Sequence, residues 1–176
     1  MIILMAGLPG TGKTTLARAL AERTKGRVLS KDEFRHSIFQ PEEIEYSSRQ
    51  DDLCLQLMLE TALYLLRPNP TQFVFLDGRP FSRRYQIENV IVACASVRQP
   101  WRILECVCSE NTARQRLEHD ASRGAHPAEN RDHQLYLAVK DRFEAITRPK
   151  VAIDTDLDLE LCVRQALRVV TYDGMD

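Results

Sequence analysis

Lys13 stands at the end of Gly7-Leu8-Pro9-Gly10-Thr11-Gly12-Lys13-Thr14, with Thr15 behind it. This is the spacing G-x-x-x-x-G-K-[ST] of a loop that cradles phosphate groups. Glycines let such a backbone turn sharply and bring its N–H groups against phosphate oxygens, and the helix that follows adds the positive end of its dipole. On this pattern Gly7, Gly10, Thr11, Gly12, Lys13, Thr14 and Thr15 bind the nucleotide. Lys13 reaches the β- and γ-phosphates and the Thr14 hydroxyl ligates the metal, so ATP and Mg²⁺ are the expected cofactors.

Asp32 and Arg35 supply a second element. An aspartate beside the γ-phosphate can accept the proton of an attacking hydroxyl and orient it in line. Arg35, one helical turn away, faces the same side and could grip an anionic or polar part of the acceptor. The plainer alternative is a helix-capping aspartate beside a solvated arginine. A hydrolytic switch has no need of such a pair, whereas an acceptor kinase does, and this favours chemistry.

Asp77 closes the apolar run Phe73-Val74-Phe75-Leu76. A carboxylate there is the expected partner of a phosphate loop, organising Mg²⁺ directly or through water, as against a turn cap before Gly78. Around Arg123-Gly124 a polar stretch reads as a mobile lid over about residues 120–131, with Arg123 placed to neutralise charge on the transferring phosphoryl group. Arg114, Arg116 and Arg131 are the other candidates for that duty. Arg79, Arg83 and Arg84 form a basic cluster after Asp77, either a solvated helix start or an acceptor site. His119, His126 and His133 recur every seven residues, but a loop between them breaks any common face, which speaks against a metal site.

The elements that must position these groups follow from periodicity. Met1 to Ala6 suits a buried strand and Thr14 to Arg23 a helix with apolar positions at Leu16, Ala17, Leu20 and Ala21. Gly26 is a plausible helix stop before a strand at Arg27 to Ser30. Further strands are expected at Gln72 to Asp77, Trp101 to Cys108 and Lys150 to Asp154. Helices are expected around Phe34 to Ile38 and over Glu42 to Leu66, Ser82 to Ala95, Asn111 to Ser122, Asp132 to Ile146 and Leu157 to Val169. The long one draws its apolar face from Leu53, Leu57, Leu59, Leu63 and Leu66, Asn111 is a possible cap, and the tail from Tyr172 is expected to fray. Alternating strands and helices argue for a parallel doubly wound sheet with ligands at the carboxyl ends of the strands.

With 176 residues, 28% of them charged and a net charge of -1, the chain reads as one α/β domain over 1–176 with no overall field for a polyanion. Five scattered cysteines, with no C-x-x-C pair, read as buried free thiols. No membrane span or leader is read, so a cytoplasmic location is expected.

Gly7 to Thr15 and Lys31-Asp32-Glu33-Phe34-Arg35-His36-Ser37-Ile38 together resemble the P-loop kinases of the polynucleotide kinase-like group, which also takes in small-molecule kinases and AAA-type ATPases. The resemblance covers most of the chain. It implies Asp32 as general base, Arg35 as an acceptor or phosphate contact, and Asp77 at the end of the third strand with Arg83 and Arg84 following as a pair. It also implies Arg123 as a lid arginine; where the group often has a second, one turn earlier, this chain has His119. The implied fold is a three-layer α/β/α sandwich with five parallel strands in the order 2-3-1-4-5. The implied activity is transfer of the ATP γ-phosphate to a hydroxyl of a small-molecule acceptor. A nucleic-acid 5′-hydroxyl is the alternative acceptor, weakened by the lack of a basic, aromatic groove. A nucleotide-binding regulatory module is the alternative of another class.

Overall fold

Ile2–Ala6 (β1) has no exposed residue at all, because it runs through the centre of a sheet covered on both faces. Its alternation assigns the two layers. Ile2, Leu4 and Ala6 pack into one core and Ile3 and Met5 into the other. The computed structural model describes residues 1–123 and 132–171.

In chain order the elements are β1, α1 (Lys13–Thr24), β2 (Arg27–Ser30), α2 (Lys31–Ile38), a 3-10 turn at Pro41–Glu43, α3 (Ser48–Leu66), β3 (Val74–Asp77), α4 (Arg84–Ser96), β4 (Trp101–Val107), α5 (Glu110–Arg123), α6 (His133–Asp141), β5 (Val151–Asp154) and α7 (Leu159–Thr171). The sheet order is β2-β3-β1-β4-β5, with every pairing parallel. This is the three-layer α/β/α arrangement that the resemblance implies. Helices α3 and α4 cover one face through Met58, Leu59, Ala62, Ile87, Val90 and Cys94. Helices α1 and α7 cover the other through Leu16, Leu20, Cys162, Val163 and Ala166.

Several boundaries differ from the periodicity, each for a local reason. The long helix is interrupted: Pro41–Glu43 is a separate turn, Tyr46 takes a left-handed conformation, and α3 starts only after Ser47, whose hydroxyl accepts from the Gln50 N–H. The buried face of α3 is Cys54, Leu55, Met58, Leu59, Ala62 and Leu66, while Leu53 is exposed. Helix α1 is closed by Lys25 in the left-handed region, one residue before Gly26. The Ser109 hydroxyl, not Asn111, accepts from Thr112 N–H at the start of α5. Helix α6 ends at Asp141, well short of Ile146. The residues 124–131 of the expected lid, including His126 and Arg131, and the tail 172–176 lie outside the described residues.

Candidate active site

The loop between β1 and α1 wraps the carboxyl end of the central strand. Gly7 has φ 129°, and a Cβ there would lie 2.3 Å from the Cys106 carbonyl oxygen, so only glycine lets the loop lie flat against β4. The Thr11 hydroxyl donates to the Leu8 carbonyl at 2.8 Å. The Lys13 ammonium, nine-tenths buried, donates to the carbonyls of Gly7 at 2.8 Å and Leu8 at 2.6 Å. Its charge therefore lies over the loop that the phosphates would occupy. Thr14 and Thr15 open α1, where the unpaired N–H groups of the first turn collect.

Two residues far along the chain brace this loop. The Thr155 hydroxyl, just past β5, bonds the Thr11 carbonyl at 3.0 Å. Arg116, on α5, donates to that hydroxyl at 3.1 Å and to the Thr155 carbonyl at 2.7 Å. Of the two candidate lid arginines whose side chains are described, Arg116 is set against the phosphate loop, while Arg114 pairs at 3.8 Å with the exposed Glu118. Arg123 ends α5, and its side chain lies outside the described part of the structure. Thr155 had no signal in the sequence, being an ordinary polar residue in a turn.

Asp77 ends β3 opposite Ser30 of β2, which puts it directly beside the start of α2. Gly78 (φ 88°) follows, and a Cβ there would lie 3.0 Å from the Lys31 Cβ, so the two strand ends abut closely. Asp77 is buried, and its Oδ1 has no hydrogen-bond partner among the described residues. An orphaned buried carboxylate oxygen at a strand end, with the Thr14 hydroxyl at the head of α1, is a donor set that fits Mg²⁺. That ion keeps several waters and nucleotide oxygens and asks few protein ligands. The described residues contain no group of three or more His, Cys, Asp or Glu placed to hold a metal.

Asp32 sits in the first turn of α2, capped by Ser30. Its Oδ1 accepts from Arg35 Nη1 at 3.0 Å and lies 3.6 Å from Lys31 Nζ, while Oδ2 makes no hydrogen bond among the described residues. Arg35 itself is wholly buried. Beyond Asp32 it donates to Gln50 Oε1 at 3.1 Å and to Asp51, and the Tyr46 ring lies 5.0 Å from its guanidinium carbon. The side chain expected to grip an acceptor is thus engaged in holding α2 to α3. Asp51 is a hub that the sequence did not single out: it also accepts from Lys31 at 2.8 Å and lies 3.8 Å from Arg79. Read alone, it is one more acid in the first turn of a helix.

Of the basic cluster after Asp77, Arg79 is buried and bound to Asp52 at 2.5 Å, Arg83 pairs with Glu144 at 3.1 Å, and Arg84 is exposed. His133 lies 3.5 Å from Glu110 and stacks on Tyr136, whereas His119 is exposed on α5. Cys54, Cys94, Cys106 and Cys162 are buried free thiols, and Cys108 is partly buried.

Two cavities meet at this loop. One, of about 390 Å³, runs from Gly12 and Thr15 past Arg116 to Leu157 and Leu159. The other, of about 200 Å³, lies between the loop, α2, α3 and the Arg79–Arg83 segment, with Asp32, Tyr46 and Asp51 in its wall. Lys13 and Thr14 line both. The arrangement joins, at Lys13 and Thr14, a cavity walled by carboxylates to a slot edged by leucines.

A family described as AAA domain matches residues 2–146. No curated protein matches the chain in sequence. Among solved structures, a gluconokinase from Sinorhizobium meliloti superposes with a TM-score of 0.68 at 18% identity, covering 97% of this chain and 90% of its own. The APS kinase CysC of Mycobacterium tuberculosis, in complex with AMPPNP and APS, gives 0.72 at 14%, covering 97% of each chain. Kti12 of Chaetomium thermophilum, in complex with ADP-AlF3, gives 0.73 at 18%, again covering 97% of each. At these identities the likeness is one of fold.

Proposed function

The chain belongs to the AAA domain family, and on that premise we propose that it is an ATP- and Mg²⁺-dependent phosphotransferase acting on a hydroxyl of a small molecule. The observation that carries this reading is the junction of the two cavities at Lys13 and Thr14, with Asp32 facing the smaller one. A nucleotide whose base and ribose occupy the slot beside Arg116 would present its terminal phosphate where the second cavity begins. A module that only hydrolysed nucleotide would need no second cavity carrying a carboxylate.

In this reading the loop N–H groups and Lys13 hold the β- and γ-phosphates and spread the charge that develops on them. Asp32, fixed through Oδ1, uses Oδ2 to accept the proton of the acceptor hydroxyl as that oxygen attacks the γ-phosphorus. The bond from the γ-phosphorus to the bridging oxygen breaks, and ADP leaves with the electron pair. Thr14 and Asp77 would hold Mg²⁺, which would supply charge neutralisation at the phosphates when bound. Arg35 keeps Asp32 in one rotamer, and Arg123 on the lid remains a proposed contact to the transferring group.

The experiment is ADP release with and without acceptors: polyols, nucleosides, hydroxy acids and 5′-hydroxyl oligonucleotides. Release stimulated by a small acceptor supports the proposal. Stimulation by oligonucleotides alone transfers the site to polynucleotide chemistry, and release indifferent to every acceptor replaces the kinase with a regulatory ATPase.

A further inference from the structure

Charge in the smaller cavity is unevenly compensated. Lys31 and Arg35 share Asp32 and Asp51, and Arg83 has Glu144. Arg79 is different. It is 2% exposed and lines the cavity, yet its Nε and Nη1 make no hydrogen bond among the described residues. Only Nη2 is bonded, to Asp52 and, at 3.5 Å, to the Tyr85 hydroxyl. The nearest further carboxylate, Asp51, gives its Oδ1 to Lys31 and Arg35 and holds its Oδ2 3.8 Å from Arg79 Nη1, beyond hydrogen-bond distance. At the cavity mouth Arg142, exposed at the end of α6, has no side-chain hydrogen bond or ion pair among the described residues.

Leaving a buried charged donor without a partner costs roughly 1–3 kcal/mol per group, so such a donor in a cavity wall marks a place where an oxygen is due. A negatively charged oxygen answers both the missing bonds and the surplus charge, through charge-assisted hydrogen bonds. A volume of about 200 Å³ admits a single small metabolite or one end group of a larger molecule.

We infer that the acceptor carries an oxyanion, a carboxylate or a phosphate ester, which docks between Arg79 and Arg142 while its hydroxyl faces Asp32. The inference deepens the phosphotransfer reading and rests on it for the role of the site, but the anion subsite can be tested without turnover. Arg79 fixes the end of the molecule remote from the chemistry, and so decides which hydroxyl lies in line.

The phosphate loop is first filled with a non-hydrolysable ATP analogue and Mg²⁺, so that it cannot take the probe. Inorganic phosphate, malonate and glycerol are then titrated by calorimetry. Expected is saturable binding of phosphate or malonate and none of glycerol, with the stronger of the two anions naming the group. Loss of a charge-assisted contact should weaken that binding by about tenfold or more in Arg79→Gln. Arg142→Ala, exposed and harmless to folding, should weaken it measurably and keeps the test alive if Arg79→Gln misfolds. No saturable anion binding overturns the inference, as does binding unchanged in both variants. Anion binding without acceptor-stimulated ADP release leaves the subsite standing and removes phosphotransfer. Turnover of neutral polyols without anion binding does the reverse.

Discussion

Arg35 Nη1 donates to Asp32 Oδ1 at 3.0 Å from one helical turn away, which clamps one oxygen of a carboxylate that lines the smaller cavity. The clamp is itself held from α3 by Gln50 and Asp51. If Asp32 is the base as proposed, base and orienting group are separate residues, and substitutions should separate them too.

Asp32→Asn keeps the shape and the hydrogen bond but removes the base. Acceptor-stimulated transfer should fall by at least about 10²-fold, the usual scale for losing a positioned base, with nucleotide affinity little changed. Arg35→Met removes the buried guanidinium that Asp32 and the half-buried Asp51 share, leaving Lys31 as their remaining cation, and should cost about 1–3 kcal/mol of stability. Chemical denaturation beside steady-state kinetics distinguishes the two. A stable, fully active Asp32→Asn protein removes Asp32 from the mechanism.

The phosphate loop and the Asp32–Arg35 pair were legible in the sequence because each depends on short-range geometry: a glycine spacing and an i, i+3 offset on one helix. The sheet order followed from resemblance, not from periodicity. What was hidden depends on where distant elements land. Asp51 meets Arg35 only because α3 packs on α2, and Arg116 meets Thr155 across 39 residues of chain. Periodicity also cannot see that Tyr46 breaks the long helix in a left-handed turn that lays its ring 5.0 Å from the buried Arg35 guanidinium.

Asp77 is a case where activity and stability should oppose each other. A buried carboxylate oxygen without a partner among the described residues destabilises the nucleotide-free fold, and in the proposed reading the same oxygen meets Mg²⁺. Asp77→Asn should leave Tm equal or higher in the absence of nucleotide, while raising the Mg²⁺ concentration needed for half-maximal activity by about tenfold or more. A clearly lowered Tm would show that Asp77 serves the fold instead.

Arg116 braces the loop through Thr155 and lines the larger cavity, so its loss should be felt by the nucleotide and not by the acceptor. Arg116→Met should raise the KM for ATP by about tenfold, the equivalent of one charged hydrogen bond, and leave the acceptor KM within about twofold. The Thr155→Val change, which removes the hydroxyl bonded to Thr11, should move the same parameter in the same direction. Equal effects on both substrates would mean that the brace supports the whole site.

Two thiols give the fold a defined alkaline limit. Burial pushes Cys94 up to about 11 and Cys106, behind the phosphate loop, up to about 12, from an ordinary value of 9.0. Above pH 9.0 the unfolded chain releases these protons while the folded chain keeps them, so the folded state binds more protons and stability must fall as pH rises. The fall continues until the folded thiols ionise as well, at about 11 and 12. Each thiol contributes a slope of up to about 1.4 kcal/mol per pH unit within that window. Denaturation under reducing conditions should therefore show the stability gap between the native chain and a Cys94→Ala/Cys106→Ala variant narrowing between about pH 8 and pH 10. The variant begins less stable, because it leaves two small cavities, and loses less with alkali. A gap constant over that range would mean that the thiols ionise alike in the folded and unfolded chains.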